Sequence, residues 1–401
     1  MIRGGQTLGV LGGGQLGMFF VLAAQRHGYP VWVLDPDPHC PAARTAARHL
    51  CAPLDDPVAL EEFTRGVAAV TVESENIPAA ALAHCAAWMR PGPEAVRIAQ
   101  DRRLEKSFLR DLDLPVAPFI ALDAGTPLPP VTDDFPFPAL LKTARWGYDG
   151  KGQETVVCGE DLAAAWQALG TVDAVLEARV DLAAEFSILL ARGEDGMVVF
   201  YPAAYNYHRD GILDLTLVCD TEPTAMESEA RHMALRIAEA LDYIGVLAVE
   251  FFVDGHGEIL VNELAPRPHN SGHFSLDASI HSQFDQQLRC LCGLPLGDTR
   301  LLSPVAMMNL LGDLWTPQEP DWSSVLEHPQ TKLWLYGKRE ARPRRKMGHL
   351  TILPEHSHAI AKTVAALRRS LALPDLPPLG FLPECADQGL LPTAPHRPEH
   401  E

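Results

Sequence analysis

The chain has 401 residues, 47% hydrophobic and 21% charged, which suits two or three globular domains with cores of their own. Lys and Arg number 33 against 52 Asp and Glu, a net charge of −19, which excludes a general nucleic-acid or anionic-membrane surface and makes any phosphate site a local basic island. Eight cysteines include no C-x-x-C pair to suggest zinc, no apolar run reaches membrane-spanning length, and the start "MIRGGQTLGV" lacks a signal-peptide core, so a cytoplasmic setting is expected.

Residues 7 to 12, 31 to 35 and 68 to 73 are short β-rich runs separated by helical patterns, which predicts a small parallel sheet with helices on both faces over residues 1–97. Gly12, Gly14 and Gly17 fit G-x-G-x-x-G, and Asp35 stands where a dinucleotide fold places its ribose-binding acid. A nicotinamide-dependent oxidoreductase is therefore one reading, although Pro36 and Pro38 crowd that strand end. A charged helix over 101–112 opens a second unit, 98–298, whose strands and glycine turns read as α+β with a largely antiparallel sheet. A smaller unit, 299–370, carries the basic run "YGKREARPRRKMGHLTI", and the proline-rich residues 371–401 read as a poorly ordered tail.

Two segments of the second unit carry chemistry. In "LLKTARWGYDGKGQETVV" a strand ends at Lys142, then Gly147, Gly150 and Gly152 precede another strand. This is no Walker loop, since no helix follows; it is a flap whose main-chain N–H groups and two lysines suit an anion, or else an ordinary hairpin turn. In "GVLAVEFFVDGHGEILVNELAPRP" a turn at His256 and Gly257 would place Glu250 opposite Glu263. Two bare carboxylates about 5 Å apart repel by roughly 3 kcal/mol at an effective dielectric near 20. Such a pair needs a proton, an arginine or a metal; magnesium shared with a nucleotide phosphate fits two oxygen ligands, and a bridge to Arg267 or another base is the alternative.

Taken together, Lys142, "GYDGKGQ", "VLEARV", Glu185, Glu250 and "NELAPRPHNSGH" resemble the ATP-grasp superfamily. With "LGGGQLG" at the start and "RRKMGHL" near the end, the chain resembles its N5-carboxyaminoimidazole ribonucleotide synthetase family from residue 7 to about 353. The resemblance implies an α/β and α+β architecture: a Rossmann-like pre-ATP-grasp domain, a central ATP-grasp domain and a small C-terminal domain. It implies an ATP-dependent ligase of purine synthesis that carboxylates 5-aminoimidazole ribonucleotide with bicarbonate through carboxyphosphate, uses magnesium, and forms a homodimer. By match to the motifs, Arg102 and Lys142 reach ATP phosphates under a cover of Gly147, Tyr148, Asp149, Gly150, Lys151, Gly152 and Gln153. Glu177 and Val180 hold the adenine edge, with Ala178 and Arg179 also ATP-binding, Glu185 the ribose, and His208 adds a nucleotide contact. Glu250 and Glu263 bind the metal beside Asn262, and Arg267, Asn270 and His273 serve the bicarbonate step. For the ribonucleotide, Gly14, Gln15 and Leu16 offer a helix start to its phosphate, Glu75 and Asn76 grip its ribose, and Lys338 and Arg345 clamp phosphate.

The chain departs from the family pattern at Met18, Val72, Ser74 and Trp146, which touches ribonucleotide packing and the flap. A formate-dependent glycinamide ribonucleotide transformylase, with the same fold and acyl-phosphate chemistry, is the nearest alternative; "HNSGH" and "YHRDGIL" favour the carboxylase.

Overall fold

The computed structural model describes residues 1–132, 134–147, 152–219, 221–356 and 359–377. Strands β1 (Leu8–Leu11), β2 (Val31–Leu34), β3 (Arg48–Leu50) and β4 (Ala69–Val72) form a parallel sheet in the order β3-β2-β1-β4. Alternate strand residues feed two cores, as a sheet buried on both faces requires. Leu8, Val10, Val31 and Val33 pack with Phe19 and Phe20 of helix Gln15–Arg26, while Leu11, Leu34, Val70 and Val72 pack with Leu60 and Phe63 of helix Pro57–Gly66.

Helix Arg102–Asp111 follows, its first turn capped by Asp101, which accepts from the Arg103 N–H at 3.1 Å. Strands β5 (Phe119–Leu122), β6 (Ala139–Thr143), β7 (Gln153–Val156) and β8 (Ala174–Ala178) make a small antiparallel sheet, order β5-β8-β6-β7, backed by Leu162 and Trp166 of helix Leu162–Ala168. The flap expected at Tyr148, Asp149, Gly150 and Lys151 lies outside the described residues, between β6 and β7.

The remaining strands are β9 (Leu182–Arg192), β10 (Val198–Phe200), β11 (Ala204–Arg209), β12 (Ile212–Val218), β13 (Gly245–Asp254), β14 (Ile259–Ala265), β15 (Val305–Leu311), β16 (Thr331–Leu335) and β17 (Lys346–Ile352). They join in one antiparallel sheet, order β14-β13-β9-β11-β12-β15-β17-β16, with β10 on β9. Among the described residues the unit read from the sequence at 299–370 thus shares the large sheet, because β15 pairs directly with β12. Helix Ile360–Ser370 locks it down through Arg368, 1% exposed, whose two Nη atoms hold Asp214 at 2.8 and 3.0 Å. Among the described residues no helix is long and apolar enough to cross a membrane.

The β13–β14 hairpin reaches the expected pairing by an unexpected route. Its turn is one residue longer than the sequence suggests: the Asp254 N–H meets the Glu258 carbonyl at 3.0 Å, and the ladder runs Val253 to Ile259 and Phe251 to Val261. Asn262 is then an extra residue, a bulge, beyond which Glu250 faces Glu263. Val261 and Leu264, three apart, consequently enter the same core, and Glu263 points the other way.

Candidate active site

The large sheet, the small sheet and the first unit meet around a polar cavity of about 460 Å³. Helix Arg102–Asp111 supplies Arg102, β6 supplies Lys142, and the ends of the glycine segment supply Gly147, Gly152 and Gln153. From the large sheet come Glu185, His208, Glu250, Asn262 and Glu263; the chain leaving β14 adds Arg267 and Asn270. Glu75 and Asn76 reach in from the loop after β4, at the carboxyl edge of the parallel sheet, where ligands of such sheets lie. Fourteen residues singled out from the sequence, spread from position 75 to 270, thus line one space.

Its acids are matched by bases. Glu263 Oε2 accepts from Arg102 Nη1 at 3.1 Å, and Glu250 Oε1 lies 2.8 Å from His269 Nε2. The base alternative for the acid pair is therefore present, but Arg267 is not the base; it holds Glu75 at 2.6 Å through Nε. That pair ties the first unit to the end of β14. Burial acts to raise the Glu250 pKa, but the charge and hydrogen bond of His269, with His208 and Lys346, hold it down at about 2. His208 moves upward: burial opposes its charge, and Glu185, 2.6 Å away, with Glu250 outweighs it. The Lys142 Nζ sits 2.5 Å from Glu177, so the lysine is aimed before any phosphate arrives.

Other expected positions lie elsewhere. Glu177 is 4% exposed, its carboxylate held between Lys106 and Lys142 and its pKa kept at about 2 because those lysines overcome burial; it and Ala178, Arg179 and Val180 stand outside the cavity wall. His273, expected beside the reactants, is fully buried among Phe19, Phe284, Tyr336 and His349, and burial pushes its pKa well down. The short 3-10 turn Asn270–Phe274 swings it inward to Gln283, whose Nε2 lies 3.2 Å from its Nδ1. Lys338 Nζ donates to the Lys346 carbonyl at 2.8 Å and Arg345 Nη1 to the Glu340 carbonyl at 3.1 Å; neither lines the cavity. Gly14 caps helix Gln15–Arg26 as expected, and Glu73 lies against that helix start, close to Gly14 and accepting from the Gly17 N–H at 3.2 Å; Gln15 and Leu16 follow in the first turn. Asp35 accepts from the Gly13 N–H at 2.7 Å and the Asp37 N–H at 2.8 Å, which leaves the nicotinamide reading without its ribose acid.

Comparison with known proteins agrees with this geometry. Residues 5–100 match the ribonucleotide synthetase preATP-grasp domain, 107–284 the ATP-grasp domain, and 305–363 the phosphoribosylaminoimidazole carboxylase C-terminal domain. The N5-carboxyaminoimidazole ribonucleotide synthase of Brucella melitensis is 40% identical over 354 residues, 87% of this chain and 97% of that protein. The chain belongs to the N5-carboxyaminoimidazole ribonucleotide synthase family. A crystal structure of the Thermus thermophilus synthetase, 39% identical, superposes with a TM-score of 0.84 over 92% of this chain and 99% of its own. The Aspergillus clavatus synthase in complex with ADP and 5-aminoimidazole ribonucleotide is 28% identical, with a TM-score of 0.82 over 92% and 98% of the two chains.

Against this family frame, two cavity residues stand out that the sequence reading passed over. His269 follows two residues after Arg267 on the chain leaving β14, and both line the cavity with Glu263. Lys346, at the start of β17, lines the cavity beside Lys338 and Arg345, which do not; sequence alone offers no means of choosing among neighbours in a basic run. The donor set also suits magnesium. Glu250 and Glu263 each engage one oxygen with a base, leaving a second, and hard oxygen ligands are what that ion takes.

Proposed function

We propose that this chain uses ATP and bicarbonate to convert 5-aminoimidazole ribonucleotide to N5-carboxyaminoimidazole ribonucleotide, in the cytoplasm and as a homodimer. The observation that carries the reading is the single cavity in which Arg102, Lys142 and the Glu250–Glu263 pair meet Glu75 and Asn76 of the first unit. Phosphoryl transfer asks a protein for positioning and for neutralisation of oxygen charge, and these residues supply both.

In this reading a bicarbonate oxygen attacks the γ-phosphorus of ATP and ADP departs, leaving carboxyphosphate. Lys142, oriented by Glu177, and Arg102, oriented by Glu263, meet the phosphates between β6 and β14. Glu250 and Glu263 would hold magnesium, whose charge eases phosphoryl transfer when bound. Glu185 takes the ribose and His208, paired with it, completes that wall; the main chain of 177–180 takes the adenine edge. Asn270 is 8% exposed and neither its amide nitrogen nor its oxygen has a partner among the described residues, which leaves a donor and an acceptor for bicarbonate beside Arg267. The amine of the ribonucleotide then attacks the carboxyl carbon, either of carboxyphosphate as phosphate leaves or of carbon dioxide after phosphate has left, and gives up one proton. Glu75 and Asn76 face the ribonucleotide, and Lys346, whose carbonyl accepts from Lys338, faces its phosphate together with the neighbouring Arg345.

The test is phosphate release from ATP with magnesium and bicarbonate, with and without 5-aminoimidazole ribonucleotide, against glycinamide ribonucleotide plus formate. Strong stimulation by the aminoimidazole substrate alone is expected. Stimulation by the glycinamide pair alone would keep the nucleotide site and replace the substrate.

A further inference from the structure

Strand β14 is the edge of the large sheet, so its outward main-chain groups meet no further strand. Two adjacent side chains of helix Arg102–Asp111 take up that edge at the bulge. Lys106 Nζ donates to the Asn262 carbonyl at 2.8 Å, and Glu105 Oε1 accepts from the Leu264 N–H at 2.6 Å. The two contacts flank Glu263, one on the residue before it and one on the residue after. Both residues are 1% exposed, and no step described above uses either.

The position matters because β14 could pair in another register. The turn sets a ladder in which Glu250 would face Asn262; only the extra residue brings Glu263 to that place. A slip would exchange a carboxylate for an amide opposite Glu250 and turn Glu263 toward the core that holds Val261 and Leu264. Lys106 reaches further still. Its Nζ lies 2.6 Å from Glu177, whose other oxygen holds Lys142. One dipeptide is thereby joined to the acid hairpin and to the lysine on β6.

We propose that Glu105 and Lys106 are positioning residues for the metal–nucleotide site, pinning the Asn262 bulge so that Glu263 stays opposite Glu250. The proposal rests on the nucleotide reading of the cavity. Its readout is binding, not turnover: ADP titrated calorimetrically into the full chain with excess magnesium and again with EDTA. Wild-type protein gains ADP affinity from magnesium. In Lys106→Met and Glu105→Leu that gain falls at least about tenfold, the scale seen when groups that orient metal ligands are removed. Affinity in EDTA changes less. Glu105→Gln keeps an oxygen for the Leu264 N–H and restores most of the gain. Should Lys106→Met lose its cooperative thermal transition, Glu105→Leu decides alone, since it leaves both ion pairs of Glu177 in place. An undiminished magnesium gain in folded Glu105→Leu overturns the proposal and spares the nucleotide reading; wild-type ADP binding indifferent to magnesium overturns both.

Discussion

The first glycine loop and the central cavity both bring carboxylates against donors, with opposite consequences. At the loop the donors are main-chain N–H groups: Gly17 for Glu73 at 3.2 Å and Gly13 for Asp35 at 2.7 Å. The fit is closed, since a Cβ on Gly12 would come 2.4 Å from Glu73 Cγ and one on Gly14 2.6 Å from its Oε1. In the cavity the donors are side chains, Arg102 for Glu263, His269 for Glu250 and His208 for Glu185. The electrostatics diverge accordingly. Burial raises the Glu73 pKa in spite of the N–H groups of Gly14 and Gly17 beside it, whereas the bases around Glu250 overcome burial and hold it at about 2. A helix start attracts an anion, and the chain's own acid satisfies it as well as a ligand does. Main-chain donors are fixed, but an arginine or histidine can turn from its carboxylate to an incoming phosphate. The loop is sealed; the cavity is poised.

The strongest way to break this contrast is Glu263→Gln. In the role proposed for it, as a ligand of magnesium, this acid carries several kcal/mol of transition-state stabilisation, so ATP turnover should fall on the order of a thousandfold. Its thermal midpoint should stay close to wild type, because the pair with Arg102 is 42% exposed on the acid side and contributes little to stability. Retained turnover would make Glu263 a structural partner like Glu73. At the loop the expectation reverses. Gly12→Ala forces a Cβ into Glu73 at φ +94° and should cost about 2–3 kcal/mol in urea unfolding. Glu73→Ala, which leaves buried N–H groups without an acceptor, should cost about 1–3 kcal/mol. Since the second change removes the atom the first collides with, the double variant should lose less than the sum. Strict additivity would show that the loop is not packed around that carboxylate.

Legibility in the sequence follows the same line. Alternating strands and helices in the first unit, the antiparallel texture of the second and the Glu250–Glu263 pairing were all readable, because periodicity reports which face is buried. The pairing was reached through a turn misplaced by one residue, and the bulge at Asn262 restored it; no local pattern marks a bulge held by Glu105 and Lys106 from 156 or more residues away. His273 reads from the sequence as the site histidine and His269 does not, though both follow the acid strand; the 3-10 turn Asn270–Phe274 sends His273 into an aromatic core and leaves His269 on the wall. At the glycine loop the spacing marks a helix start that an anion can approach, and only the fold brings the chain's own Glu73 to it across 56 residues.

The smallest effect is also the sharpest test of the contrast. Glu250 is held below its ordinary value of 4.5, so the stability its ionised form contributes is present above pH 4.5 and lost as pH falls through about 2. Glu73 is held above 4.5, so the stability tied to its protonated form is full below pH 4.5 and lost as pH rises through its higher folded value. Glutamine removes the titration at either place. Measured by urea midpoints from roughly pH 3 to 7, the advantage of wild type over Glu250→Gln should shrink toward acid, while its standing against Glu73→Gln should improve toward acid, each by on the order of 1 kcal/mol. Parallel profiles would mean that the two carboxylates sit in like environments, and the division between a sealed loop and a poised cavity would go with them. Opposed slopes would show that what an acid is for depends here on whether its partners are main-chain groups or bases on flexible stems.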